Sequence, residues 1–154
     1  MDDEIQVAVD PGESGGLAWQ IPGCLVGVEN MPDTFHELVH LFECIQKDGN
    51  VRVYLEEVSG YAGGAGNTGS SMFNFGRTFW GTLAVCAAMG IPVELVRPQK
   101  WQKALGLGTS TGLSKTQWKN KLKVRAAQLY PDVKVTLKVA DALLIHHAAV
   151  KGLI

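Results

Sequence analysis

The second half of this sequence is short of acids. Residues 77–154 carry only Glu94, Asp132 and Asp141 against twelve lysines and arginines, a net charge of +9. Residues 1–76 carry twelve acids against Lys47 and Arg52, a net charge of −10. The formal charge of −1 for the whole chain conceals this division. The two halves could simply neutralise one another across a folded surface. The basic residues gather around one loop and one helix, however, which favours a surface that meets phosphates. Cysteine is also scarce. Cys24, Cys44 and Cys86 are an odd number with no metal-type spacing, and they read as reduced, partly buried thiols of a cytosolic protein. No apolar run reaches the length of a membrane span. The opening Met1-Asp2-Asp3-Glu4 lacks the basic region of a signal peptide, so a cytoplasmic location is expected.

Apolar residues make up 46% of the 154 positions and charged residues 19%, enough to bury a sizeable core. The length fits a single domain spanning 1–154. Residues 4–10 alternate weakly and read as a buried strand, and Gly16–Ile21 and Cys24–Glu29 as two more, completing a meander. Thr34 and Glu37 form a capping box before Leu38, Leu41, Phe42 and Ile45 at helical spacing. Val51–Glu57 is a further buried strand. Residues 59–69 are glycine-rich and loop-like. Ser70–Met89 reads as a helix, apolar on nearly every side, with Gly90 just past its end. A short strand at Val93–Val96 and a short helix at Pro98–Leu105 follow. Ser114 and Gln117 make a second capping box, opening a helix that Pro131 ends. The last helix is expected from about Leu137 to Lys151. Strands first and mixed elements later imply an α/β chain with a mixed sheet sandwiched by helices.

Three carboxylates border apolar segments. Asp10 closes Ile5-Gln6-Val7-Ala8-Val9, Glu56 closes Val51-Arg52-Val53-Tyr54-Leu55, and Asp141 opens Asp141-Ala142-Leu143-Leu144-Ile145. Carboxylates at such edges are costly to desolvate unless something neutralises them. A divalent metal can do so, and an all-oxygen ligand set suits Mg²⁺ or Mn²⁺. Converging acids of this kind would serve metal-assisted phosphodiester cleavage. Each also has a plainer explanation. Asp10 precedes Pro11-Gly12-Glu13-Ser14-Gly15-Gly16 and could merely cap that turn, although the glycines would let a metal and a phosphate approach closely. Glu56 and Glu57 point to opposite strand faces, and periodicity does not choose between them. Asp141 could pair with Lys138, three residues earlier.

Other residues are less specific. His146 and His147 share no helical face with Asp141 and suggest surface or interhelix packing. Trp80, Trp101 and Trp118 suggest core. Tyr61 and Phe73 flank the glycine-rich segment and are better placed to touch nucleic acid.

Six blocks in order, from Ile5 to about Val150, carry a resemblance to a known family. They are Val7-Ala8-Val9-Asp10-Pro11-Gly12 with Ser14-Gly15-Gly16, then Tyr54-Leu55-Glu56-Glu57-Val58, then Ser71-Met72-Phe73-Asn74-Phe75-Gly76-Arg77. Pro92 to Trp101, Ser114-Lys115 and Val139 to Ile145 complete the set. The chain resembles the RuvC-like Holliday-junction resolvases, particularly their compact phage-type members. The resemblance implies an RNase H-like fold with a five-stranded mixed sheet flanked by helices on both faces. It implies a homodimer and Mg²⁺-dependent nicking of four-way DNA junctions in the cytoplasm of a bacterium or a phage-infected host. Asp10, Glu56 (rather than Glu57) and Asp141 match the family's catalytic metal ligands. Lys115 looks like the lysine that faces the scissile phosphate, with Lys119 one turn further along the same backbone. Arg77, Lys123 and Lys138 join Tyr61, Phe73, Lys115 and Lys119 as expected DNA contacts.

One departure concerns the metal site. The family usually has an acid or histidine three or four positions before the helical aspartate, where this chain has Lys138 and Leu137. On a continuous helix Lys138 would lie within about 60° of Asp141, at the edge of the site. It would contact a phosphate, weaken one metal site, or lower activity. The leading expectation is therefore an endonuclease acting on branched DNA. The alternative is a junction-binding protein with little or no catalysis. An actin-like ATPase fragment shares the first motif, and an RNase H acting on RNA–DNA hybrids shares the carboxylate logic.

Overall fold

The computed structural model describes residues 4–57 and 69–154. Along the chain run β1 (Ile5–Asp10), β2 (Gly16–Trp19), β3 (Gly27–Asn30), α1 (Phe35–Gln46), β4 (Val51–Glu56), α2 (Gly69–Ala88), β5 (Val93–Val96), α3 (Pro98–Ala104), α4 (Lys115–Leu129) and α5 (Ala140–Val150). The sheet has the order β3-β2-β1-β4-β5. The first three strands form the expected antiparallel meander, and β4 and β5 run parallel to β1. β2 and β3 are shorter than their apolar stretches suggested, because the chain leaves the sheet around Pro22-Gly23 over residues 20–26.

Strand alternation sorts the core into two layers. Ile5, Val7 and Val9 of β1 join Val51, Val53 and Leu55 of β4 against Leu38, Phe42 and Ile45 of α1 and Phe79 and Cys86 of α2. Ala8, Ala18 and Tyr54 face the other way, against α5, Trp101 of α3, and Trp118, Leu122 and Ala126 of α4. Both expected capping boxes form. Thr34 and Glu37 exchange hydrogen bonds at the start of α1, and Ser114 and Gln117 do so at the start of α4.

α5 is buried nearly all round, from Ala140 to Ala149 with His147 as the exception. Small side chains let it press on the sheet: Ala8 and Ala18 below, Ala142, Ala148 and Ala149 above. Gly16 serves the same approach. A Cβ there would stand 2.7 Å from the Glu29 carbonyl oxygen and 3.0 Å from that of Lys138. Gly15 also answers to the chain itself, since a Cβ on it would overlap the Asp10 carbonyl. These two glycines are needed for the turn to close, whatever else approaches it.

The last helix begins three residues later than expected. Residues 137–139 form a turn in which the Ala140 amide bonds to the Thr136 carbonyl, and the helix starts at Ala140. Lys138 lies in that turn, exposed. Trp101 and Trp118 are core, as expected, but Trp80 is 68% exposed on α2. No helix among the described residues is long and apolar enough to cross a membrane.

Candidate metal centre

Asp10 and Glu56 end the two central parallel strands. The register that sets Val9 opposite Leu55 puts them side by side, on the face that carries Ala8 and Tyr54. Asp141 comes down onto them from the first turn of α5, where the helix dipole favours negative charge. One carboxylate oxygen from each of the three lies within 4.8 Å of the others. Asp10 and Asp141 are buried and Glu56 is half-buried.

Such a cluster raises its own proton affinity. Burial pushes the Asp10 carboxyl up to about 7, and the Asp141 charge adds to it, while Lys119 and a hydrogen bond with Glu56 act in the opposite direction. Glu56 is held well above the usual carboxylate range, first by burial and then by the charges of Asp10 and Asp141. Two groups oppose the repulsion. The Trp101 indole N–H, fully buried, donates to Glu56 Oε1 at 3.0 Å. The Lys119 ammonium, reaching across from α4, donates to Asp141 Oδ2. Burial draws the Lys119 pKa down, but the ion pair and hydrogen bond with Asp141 outweigh it and keep the amine charged. Asp141 Oδ1 stays buried with no hydrogen-bond partner.

The residues present fit a divalent metal. The donors are all carboxylate oxygens, with no histidine or cysteine, which suits Mg²⁺ or Mn²⁺ over zinc. A buried acceptor without a partner is the kind of group a cation satisfies.

The other glutamate is elsewhere. Glu57 lies just past β4 and pairs with Arg97 at 3.1 Å. Lys138 is exposed, and the ion pair considered for it with Asp141 is made by Lys119 instead. Lys115, at the start of α4, is exposed one turn before Lys119, and Lys123 is half-buried one turn beyond it. The three share one side of the helix. Arg77, on α2, stands 4.0 Å from Glu13 in the turn after β1. Phe73, four residues earlier on α2, is 72% exposed. Tyr61 lies outside the described residues.

Sequence reasoning missed two contacts. Trp101 was read as core, which it is, but it also donates to Glu56. Lys119, expected to follow the DNA backbone, also donates to Asp141. Its position beside buried Trp118 and three residues before buried Leu122 puts it at the edge of the apolar stripe of α4. That was the available signal. His146 is buried with Nδ1 2.9 Å from the Tyr130 hydroxyl, in keeping with interhelix packing.

No family model matches the sequence, and no curated protein matches it. Solved structures do. RuvC from Thermus thermophilus is similar over 96% of this chain and 96% of that one, with a TM-score of 0.59 and 19% identity. The Thermus thermophilus RuvC in complex with a Holliday junction substrate is similar over 97% of each chain, with a TM-score of 0.58 and 16% identity. The likeness shows the RuvC form of the RNase H-like fold, a mixed five-stranded sheet with helices on both faces.

Proposed function

We propose that this chain is a divalent-cation-dependent endonuclease that nicks four-way and other branched DNA by phosphodiester hydrolysis. The observation that carries the reading is the meeting of Asp10, Glu56 and Asp141 within 4.8 Å, inside a fold shared with a RuvC solved on a Holliday junction. Asp10, Glu56 and Asp141 are the residues that would hold Mg²⁺, or Mn²⁺ in its place. A divalent ion held by them would polarise a phosphoryl oxygen and lower the pKa of water. The chain's own groups do the rest. Trp101 fixes the orientation of Glu56 through the indole N–H. Lys115, Lys119 and Lys123 set a line of positive charge along α4 that leads to the carboxylates, suited to a DNA backbone. Lys138, Arg77, Phe73 and Tyr61 extend the proposed DNA-contacting set.

The reading includes a homodimer, because cutting two strands calls for two centres and a two-fold dimer provides them. On α2, Phe79 and Cys86 are buried against the sheet while Met72, Phe73 and Trp80 are exposed. Phe73 and Trp80, seven residues apart, share one exposed side of the helix, which supports a role for α2 in the contact between subunits.

A second reading, junction binding with little or no catalysis, gains support from the Lys119–Asp141 pair, which engages one of the three carboxylates. Labelled four-way junction, plain duplex and RNA–DNA hybrid, each incubated with and without Mg²⁺, separate the two. The endonuclease reading expects nicks in the junction with Mg²⁺ only. Binding without nicks under Mg²⁺ and Mn²⁺ alike would favour the second, and cleavage confined to the hybrid would defeat both.

A further inference from the structure

The three carboxylates need a counter-charge, and the chain brings its own. Lys119 crosses from α4 to Asp141 on α5, pairing residues 22 apart in sequence. The Asp141 side chain is almost wholly buried, whereas that of Lys119 keeps 36% of its surface exposed, so the ammonium has a way out toward solvent. The carboxylate of Asp141 is thereby divided. Oδ2 is held by the lysine, and Oδ1 is buried with no partner. A divalent cation at these carboxylates would bring two positive charges to within a few ångström of the ammonium. In a half-buried setting that repulsion is strong enough to move a flexible four-carbon side chain.

We propose that Lys119 is the resident counter-ion of the carboxylate centre, and that a divalent cation binds there by displacing it from Asp141. The proposal rests on the metal-binding reading above and specifies how that binding is regulated. Two consequences follow from linkage. Lys119 stabilises the cation-free fold against its own repulsion, and it lowers the affinity of the site for the cation.

The test compares the wild-type chain with Lys119→Met, which keeps the apolar length and removes the charge. Mn²⁺ affinity is measured by titration calorimetry, and thermal unfolding is followed without and with Mn²⁺. The variant is expected to bind Mn²⁺ about tenfold or more tightly. It should melt at a lower temperature than wild type without cation and recover when Mn²⁺ is added. Equal or weaker affinity in the variant, with wild type binding normally, overturns the proposal and leaves the metal reading standing. Absence of binding in both proteins overturns the metal reading and the proposal with it. Should the variant fail to fold without cation, the side-chain ammonium resonance of Lys119 in wild-type protein decides. It is expected to be protected from exchange without Mg²⁺ and to lose that protection as Mg²⁺ binds. A resonance that stays unchanged at saturating Mg²⁺ overturns the proposal.

Discussion

The two faces of the sheet are built to different rules. On the α1/α2 face, Val7, Val9, Val53 and Leu55 meet Leu38, Phe42 and Phe79, and the buried polar groups Thr78 and Thr82 bond back to carbonyls of their own helix. On the α5 face, the alternate residues of the same strands are Ala8, Asp10, Tyr54 and Glu56. Here lie buried Asp141, His146 and the Trp101 indole that serves a carboxylate. Both faces supply cohesion, each through its own apolar cluster. Only the α5 face also holds charge, at the end of the parallel strands. Alternation along β1 and β4 makes the division possible, because one strand can serve both faces without compromise.

If the faces are separable, substitutions should separate them. Phe42→Ala, on the α1/α2 face, should cost about 3–5 kcal/mol of stability, since Phe42 is wholly buried. It should leave the Mn²⁺ affinity of the folded protein unchanged. A loss of affinity at temperatures where the variant is fully folded would show that the faces are coupled.

The pH dependence of the cation-free protein should come from the other face. Asp10 is raised from 3.8 to about 7 in the folded chain, and Glu56 is raised as well. The folded state then holds protons that the unfolded state releases. This stabilising contribution is fully present below about pH 4 and is lost as pH rises through about 7. For Asp10 alone the upper bound is roughly 4 kcal/mol. The melting temperature of cation-free protein should fall between pH 5 and 8, Asp10→Asn should flatten that fall, and saturating Mg²⁺ should largely abolish it. A wild-type profile that rises over this range would contradict the electrostatic description of the site.

A smaller effect is expected at Trp101. Trp101→Phe keeps the ring and removes the donor to Glu56, a hydrogen bond to a charged group worth about 1.5–3 kcal/mol. With the ionised Glu56 less supported, the rising limb of a pH–rate profile for cleavage should move to higher pH. A purely structural role for the indole would lower stability without moving the profile.

Much of this could be read from the sequence, for physical reasons that differ by residue. The β1 and β4 alternation and both capping boxes were legible because they depend on neighbours two to four residues apart. The convergence of three acids could be anticipated because each interrupts the edge of an apolar segment, but periodicity left Glu56 and Glu57 open and only the family resemblance chose Glu56. The Lys119–Asp141 and Trp101–Glu56 contacts span 22 and 45 residues and depend on how α3 and α4 pack against the sheet and α5, which no local pattern encodes. The apolar run ahead of Asp141 reads as helix from about Leu137. The chain instead forms a turn over 137–139, where the Lys138 carbonyl packs against Gly16. Trp80 was misread because a tryptophan on an apolar helix is usually core, and composition does not say which side of a helix meets solvent.

The central claim is that chemistry belongs to the α5 face, and the adjacent glutamates test it most directly. Glu56 joins Asp10 and Asp141, while Glu57 pairs with Arg97. Nicking of a labelled four-way junction in Mg²⁺ should be measured for wild type, Glu56→Gln and Glu57→Gln, with junction binding followed in parallel. Glu56→Gln is expected to bind the junction and leave it uncut, and Glu57→Gln to cut it at close to the wild-type rate. An active Glu56→Gln beside an inactive Glu57→Gln would contradict the account.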